Sequence, residues 1–63
     1  MTPRARYGDI DAAATYLGMT PKAVRRKVER GQIPHIRIDG RIRFDFTDLD
    51  LWMRRHRIEA DAS

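Results

Sequence analysis

The apolar residues of this chain change their spacing at Pro34, and this change limits the folds that the chain can adopt. Before Pro34, apolar residues recur at intervals of three and four over 10–17, which predicts one face of a helix. After Pro34, apolar and charged residues alternate over 35–38 and 41–44, which predicts strands. A chain of 63 residues has room for only one small core, so the helices and strands must share it. The sequence therefore predicts a small α+β domain.

Two short helices joined by a turn are predicted before Pro34. Asp9 is a good N-cap for the first helix, which ends at Gly18, where glycine readily adopts a left-handed conformation. Thr20 caps the second helix, and Pro21 occupies its first position, where a missing N–H costs nothing. Gly31 ends this helix. A helix, a tight turn containing glycine and a short basic helix form the helix-turn-helix pattern.

A β-hairpin is predicted next, with its turn near Asp39 and Gly40. A two-residue loop would place apolar and charged residues on the same face of the hairpin. A three-residue loop, residues 38–40, pairs Arg37 with Arg41 and keeps each face uniform, so we expect this register. In that register the polar face consists of His35, Arg37, Arg41 and Arg43. The apolar face consists of Ile36, Ile42 and Phe44.

A third helix is predicted after the hairpin, with Thr47 as its N-cap and Asp50 as the acidic partner of a capping box. The order of elements is that of a winged helix-turn-helix, in which the hairpin is the wing. We expect residues 1–8 to form a flexible arm, residues 9–58 the domain and residues 59–63 a frayed end. The predicted core consists of the inward-facing apolar residues: Ile10, Ala13, Ala14, Leu17, Val24, Val28, Ile33, Ile36, Ile42, Phe44, Leu49, Trp52 and Met53.

The composition narrows the classes of function. The chain has no cysteine, and its two histidines, His35 and His56, are far apart, so we expect neither a metal site nor a cofactor. The sequence shows no catalytic constellation, which argues against an enzyme. No apolar run approaches the roughly 20 residues of a membrane span, and no secretory signal is present, so we expect a cytoplasmic protein. The net charge of +4 favours an anionic partner.

The second helix carries five of the cations. With Val24 and Val28 facing the core, Arg26 points almost opposite, and the other cations lie beside it or on the flanks. Such crowding weakens a helix, and a phosphate backbone would offset the repulsion. We expect Lys22 and Arg26 to read base edges, and we expect phosphate contacts from Thr20, Arg25, Lys27 and Arg30. The predicted major-groove surface consists of Thr20, Lys22, Ala23, Arg25, Arg26, Lys27 and Arg30. The alternative is a solvated charged face.

The hairpin provides a second cationic surface. Arginines side by side on a two-stranded ribbon repel one another, but they suit a wing that lies along a DNA backbone. Arg41, next to the tip, is placed to enter a minor groove. The alternative is an edge hairpin that its charges keep from aggregating. The predicted wing surface consists of His35, Arg37, Asp39, Gly40, Arg41 and Arg43.

Residues 11–54, over two-thirds of the chain, resemble the excisionase family of small DNA-binding proteins, which is related to the N-terminal domain of MerR-type regulators. The resemblance implies a winged helix-turn-helix that binds several adjacent DNA sites, bends the duplex and helps a phage integrase to run excision. It also implies that Lys22, Arg25 and Arg26 sit in the major groove and that Gly40 and Arg41 form the wing tip. The matching stretches are Ala13–Thr20, Ala23–Arg26, Gly31–Pro34, Gly40–Phe44 and Asp48–Met53.

Other roles for such a domain remain open. A transcription regulator with the same fold would bind paired half-sites as a dimer, and no long dimerisation helix follows the domain, which favours an excisionase. A protein-interaction adaptor would instead dock its basic face on an acidic partner. Neighbouring copies on adjacent sites need contacts with each other, and we expect Leu51 and the arm around Tyr7 to supply them.

Overall fold

The computed structural model describes residues 5–60, which form three helices and a three-stranded antiparallel sheet of order β1-β3-β2. The elements are β1 (Tyr7–Gly8), α1 (Ile10–Leu17), α2 (Pro21–Glu29), β2 (Ile36–Ile38), β3 (Arg41–Asp45) and α3 (Phe46–Arg55). This is the winged helix-turn-helix of the α+β class that the sequence predicts. The hairpin β2–β3 is the wing.

The helix-turn-helix forms through local capping interactions. The carboxylate of Asp9 accepts a hydrogen bond from the Ala12 N–H (2.8 Å), and Gly18 ends α1 with a φ of 69°. The Thr20 hydroxyl accepts from the Ala23 N–H (3.1 Å) at the start of α2. The predicted bounds of α1, and the predicted caps of α1 and the start of α2, are confirmed.

The core lies where α1, α2 and α3 meet β3. Its buried apolar residues are Ala13, Ala14, Val24, Val28, Ile33, Phe44, Phe46 and Leu49. Four further predicted members pack against this cluster while partly exposed: Ile10, Leu17, Ile42 and Trp52. The prediction is wrong for Met53, because the buried residues of α3 are confined to its first four positions and Met53 is 47% exposed. Phe46, not predicted as core, is buried.

The hairpin has a two-residue loop, so the predicted three-residue loop is wrong. Ile38 pairs with Arg41, Arg37 with Ile42, and Ile36 with Arg43. Asp39 and Gly40 both have positive φ, 50° and 75°, as a type I′ turn requires, and this turn matches the twist of the flanking strands. The tip of the hairpin extends beyond the core, so neither of its faces is buried there. Burial therefore does not favour a register that keeps all apolar residues on one face, and the turn geometry decides the register.

That register also removes Ile36 from the predicted core. Directly paired residues of an antiparallel ladder lie on the same face. Ile36 and Ile38 therefore share a face with Arg41 and Arg43, and Arg37 shares the other face with Ile42. Ile36 is only half-buried and does not belong to the apolar set that packs on the core.

The predicted flexible arm is wrong at its C-terminal end. Tyr7 and Gly8 form β1, paired with Asp45 and Phe44 of β3, and the Phe46 N–H donates to the Arg6 carbonyl (2.8 Å). A two-residue strand has no periodicity, so only the presence of the β3 edge reveals it. The rest of the predicted arm up to residue 4, and residues 61–63 of the predicted frayed end, lie outside the described residues.

Asp45, rather than Thr47, caps α3. Strand β3 runs directly into α3, so the last residue with an extended backbone is Asp45, and its carboxylate accepts from the Thr47 N–H (2.9 Å). The predicted capping box is therefore wrong, and Asp50 accepts instead from the Tyr16 hydroxyl of α1. The Arg6 guanidinium donates to the same Asp45 carboxylate, with 3.2 Å between nitrogen and oxygen.

These contacts set the ionisation of Asp45. Burial of the carboxyl group raises its pKa, but the hydrogen bond from Thr47 and the hydrogen bond and charge of Arg6 outweigh burial, so the pKa is lowered overall. The ionised form of Asp45 is therefore stabilised in the folded chain.

Gly8→Ala should destabilise the fold, since a Cβ at position 8 would lie 2.7 Å from Phe46 Cζ and 2.8 Å from the Ala12 Cβ. We expect a loss of about 1–3 kcal/mol in the free energy of unfolding, measured by urea denaturation. The shorter side chain of Phe46→Leu should recover part of that loss in the double mutant. Equal stability of Gly8→Ala and the parent would contradict the close packing of β1.

Acid should weaken the fold through Asp45. A carboxyl group whose folded pKa is lowered contributes stability above its unfolded pKa of about 4, and this contribution is lost as pH falls through the folded pKa. Asp45→Asn should therefore be less stable at pH 7 and should lose less stability than the parent on acidification, measured by urea unfolding across pH. Parallel profiles for Asp45→Asn and the parent would contradict this role.

Candidate nucleic-acid interface

Helix α2 presents a cationic surface opposite the core. Val24 and Val28 are buried, which confirms the predicted orientation of the helix. The exposed cations of the segment are Lys22, Arg25, Arg26 and Arg30. Ala23 and Lys27 are half-buried on the flanks. The structure thus keeps the two residues predicted to read bases, Lys22 and Arg26, accessible to a partner.

No carboxylate of the described chain neutralises these cations by a direct ion pair. Between residues 5 and 60, ion pairs join Arg6 to Asp45 and Arg57 to Glu59, and neither pair includes a cation of α2 or of the wing. Like charges on neighbouring turns of a helix destabilise it slightly. The surface of α2 is therefore suited to an external polyanion, which would relieve the repulsion.

The start of α2 is held by Thr20. Its hydroxyl oxygen accepts the Ala23 N–H, and the hydroxyl proton remains able to donate to another group. Lys22 follows within the first turn of α2, the end that approaches base edges when such a helix enters a major groove. A DNA contact by Thr20 stays a prediction, but its capping role fixes where the first turn begins.

The wing lies beside α2 and the start of α1. The predicted major-groove surface of α2 and the predicted wing surface therefore adjoin each other. Arg41 and Arg43 of β3 and Arg25 of α2 line a single open groove. Its other lining residues are Asp9, Ile10, Asp11, Gly40 and Ile42. Sequence spacing gave no sign of this proximity, because residues 25 and 41 come together only through the path of the sheet.

Two carboxylates at the rim of this groove were not predicted to belong to the site. Asp9 is engaged as the N-cap of α1, and Asp11 is an exposed residue of the first helical turn. Their negative charge lies next to the arginines that would meet phosphates. The α1 side of the groove is therefore less favourable to an anion than the side formed by α2 and the wing.

The wing does not carry the uniform cationic face that the sequence predicted. Arg41 and Arg43 share one face, whereas Arg37 lies on the other, opposite Ile42. His35 precedes β2 and is half-buried, and its Nδ1–H donates to the Ile33 carbonyl (2.8 Å), which braces the segment between α2 and β2. Arg41 and Arg43 nevertheless line the groove with Arg25 of α2, whereas Arg37 does not, and Asp39 and Gly40 form the turn.

Trp52 connects α3 to the end of the helix-turn-helix. Its Nε1–H donates to the Gln32 carbonyl just after α2 (3.0 Å), and its ring packs on His56 with 4.6 Å between centroids. The sequence predicts Trp52 as a core residue, and it does pack against the core. Its hydrogen bond adds a role in holding the exit of α2, which supports the orientation of the cationic surface.

The two residues predicted to mediate self-association are both exposed. Tyr7 in β1 is 53% exposed, and Leu51 in α3 is 49% exposed. Leu51 borders a shallow crevice with Pro34 and Trp52. Both residues lie on elements outside the surface formed by α2 and the wing, and their association stays a prediction.

Residues 5–60 contain neither a metal-binding cluster nor a helix that could span a membrane. No group of three or more acidic or histidine side chains in this part of the chain is arranged to hold a metal ion. No helix among these residues is both long enough and apolar enough to cross a membrane.

Comparison with known proteins identifies a family for this chain. Residues 9–57 match a family model described as a helix-turn-helix domain, which covers α1, α2, the wing and α3. No curated protein and no solved structure matches the chain.

Arg43→Ala should weaken binding to every duplex sequence about equally, because Arg43 lies where the wing would contact phosphates rather than bases. We expect the slope of log affinity against log salt concentration to fall by about 1, measured by fluorescence anisotropy on labelled duplexes. Arg37→Ala is the matched control, since it removes the same charge from the other face of the same hairpin and should have a smaller effect. Equal losses in the two variants, or a loss confined to certain sequences in Arg43→Ala, would contradict the assignment.

Proposed function

Because this chain belongs to the helix-turn-helix domain family, a DNA-binding family that includes excisionase-like proteins, we propose that it is an excisionase, a recombination directionality factor. In this role several copies bind adjacent sites on duplex DNA, bend it and help a phage integrase to excise integrated DNA. The protein acts in the cytoplasm and catalyses no reaction itself. The resemblance of residues 11–54 to excisionases supports the finer assignment.

The observation that carries DNA binding is the continuous cationic surface of α2 and the wing. Arg25, Arg41 and Arg43 border one groove, and the other exposed cations of α2 continue that surface. A helix in the major groove with an adjacent hairpin on the flanking backbone would use both parts at once. Lys22 and Arg26 are then the base-reading residues, and Thr20, Arg25, Lys27 and Arg30 contact phosphates.

A single copy has little surface with which to select a sequence. One helix reads only a few base pairs, and single modules of this size bury roughly 600–1,000 Å² of protein surface on DNA. Most of the binding free energy then comes from phosphate neutralisation, which does not depend on sequence. Binding of several copies at adjacent sites would supply the missing selectivity, and their small bends would add when the sites lie in helical phase.

Contacts between neighbouring copies would use the elements that the DNA leaves free. Tyr7 of β1 and Leu51 of α3 are exposed apolar residues outside the cationic surface. A contact between two different patches continues from copy to copy along a row, as adjacent sites require. We propose that Leu51 and the crevice beside it form one such patch, and that the integrase meets an outer copy.

The first experiment is footprinting of the purified protein on fragments that it retains from its own genome. Adjacent sites in helical phase beside an integrase attachment site are the expected result. A single palindromic site over a promoter would instead indicate a transcription regulator. Binding no tighter than to bulk DNA would overturn the proposal in favour of an adaptor that docks its basic face on an acidic protein.

Leu51→Asp should leave the affinity for one isolated site unchanged and lower cooperativity between two adjacent sites, because a charge would disrupt the contact between copies. Titrations of one-site and two-site duplexes measure both quantities. Met53→Asp is the matched control, since Met53 is similarly exposed on α3 but points about 200° away around the helix. Cooperativity that survives Leu51→Asp would rule out this patch.

A further inference from the structure

The outer face of the wing carries two isoleucines that the core does not cover. Ile36 pairs with Arg43, and Ile38 pairs with Arg41 beside the turn. Ile38 is 57% exposed, the highest fraction for a large apolar side chain within any helix or strand of the described chain. Neither isoleucine belongs to the apolar set that packs around the core.

Folding alone does not account for an isoleucine at position 38. The solvent face of an antiparallel hairpin is ordinarily polar, and an exposed apolar residue on an edge strand favours aggregation. The turn does not require it, because the positive φ angles of Asp39 and Gly40 set the turn geometry. The side chain of Ile38 is therefore more than half exposed and does not pack on the core, and the arginines beside it are suited to DNA.

The surroundings of Ile38 indicate the chemistry of its partner. Ile38 lines a shallow groove with Asp39, Arg41 and Arg43, so one apolar side chain lies beside two cations of the neighbouring strand. The same two arginines border the groove that contains Arg25 of α2. A partner that fits here offers an apolar surface next to a row of negative charge, and it lies next to whatever α2 binds. The minor groove of duplex DNA, with its sugar walls and flanking phosphates, has this character.

We propose that Ile38 is a wedge that enters the minor groove beside the site bound by α2, partly unstacks one base step and bends the duplex. Arg41 and Arg43, side by side on β3, hold phosphates along one edge of that groove. Apolar side chains inserted in this way kink DNA toward the major groove. The inference rests on the proposed function, and it adds a residue that produces the bend and a sequence preference at bases that α2 does not touch.

The wedge predicts which base step beneath the wing the protein prefers. Pyrimidine–purine steps such as TA and CA unstack most easily, whereas A-tracts are stiff. A wedge at Ile38 therefore favours a duplex with a TA step under the wing over one with an A-tract there, while the bases under α2 stay the same. Arginine contacts alone predict the opposite order, because the narrow minor groove of an A-tract attracts cations more strongly.

The test uses the full chain and two duplexes that share the footprinted α2 site and differ only in the step beneath the wing. Anisotropy measures affinity, and energy transfer between dyes at the duplex ends measures the bend. We expect the parent to bind the TA duplex several-fold more tightly and to bend it more. Ile38→Ala should lose the bend and the preference while keeping most of its affinity for the A-tract duplex. Ile38→Thr should behave like Ile38→Ala. Because threonine keeps the β-branched shape that suits a strand, a loss shared by both variants comes from the missing apolar side chain and not from a folding defect.

Met53→Ala is the matched control, because it removes a similarly exposed apolar side chain from α3, outside any proposed contact, and should keep the parental bend. An unchanged bend and step preference in folded Ile38→Ala would overturn the wedge while leaving DNA binding intact. An equal loss on both duplexes with an unchanged bend would make Ile38 a general contact and also overturn it. A parent that shows no binding to either duplex would overturn the proposed function as well, so the two failures are distinguishable.

Discussion

The carboxylate of Asp45 is the contact on which the arrangement of the other elements depends. It accepts the Thr47 N–H that begins α3, and it binds the Arg6 guanidinium next to β1. Because β3 passes into α3 without a loop, the direction of α3 is set at this residue. Phe44 and Phe46 on either side of Asp45 are both buried, so the same short segment also anchors the core.

That anchored segment leads back along β3 to the wing, and so it joins the core to the cationic surface. Phe44 is fully buried, Arg43 is half-buried, and Arg41 is exposed near the tip. Arg41 and Arg43 reach the groove that Arg25 of α2 also lines. The distance between α2 and the wing is therefore set by packing in the core rather than by contacts between the cations, which repel one another.

The surface that results has two kinds of residue with different physical roles. The cations of α2 lack ion-pair partners among residues 5–60 and suit a polyanion of any sequence. Ile38 instead suits an apolar surface, and it lies opposite Arg41 and on the same face as Arg43 of the wing only because the hairpin has a two-residue turn. A three-residue turn would have moved Ile38 into the loop and placed Arg37 beside Arg41, giving a purely cationic wing.

The sequence by itself determined the helix-turn-helix and the cationic face of α2, because the signals for both are local. Asp9, Gly18 and Thr20 act within a few residues of their own positions, and the spacing of Val24 and Val28 orients α2 without reference to the rest of the chain. Only the tertiary structure decided β1, the cap of α3 and the position of the wing. Gly8 forms a strand because β3 offers it an edge and Phe46 leaves room for no larger residue. Asp45 and Thr47 are both suitable caps by residue type, and the point where β3 ends selects Asp45. The geometry of the turn, rather than the hydrophobic pattern, set which residues share each face of the hairpin. No core lies under the tip, so a uniformly apolar face there would bury nothing and gain no stability.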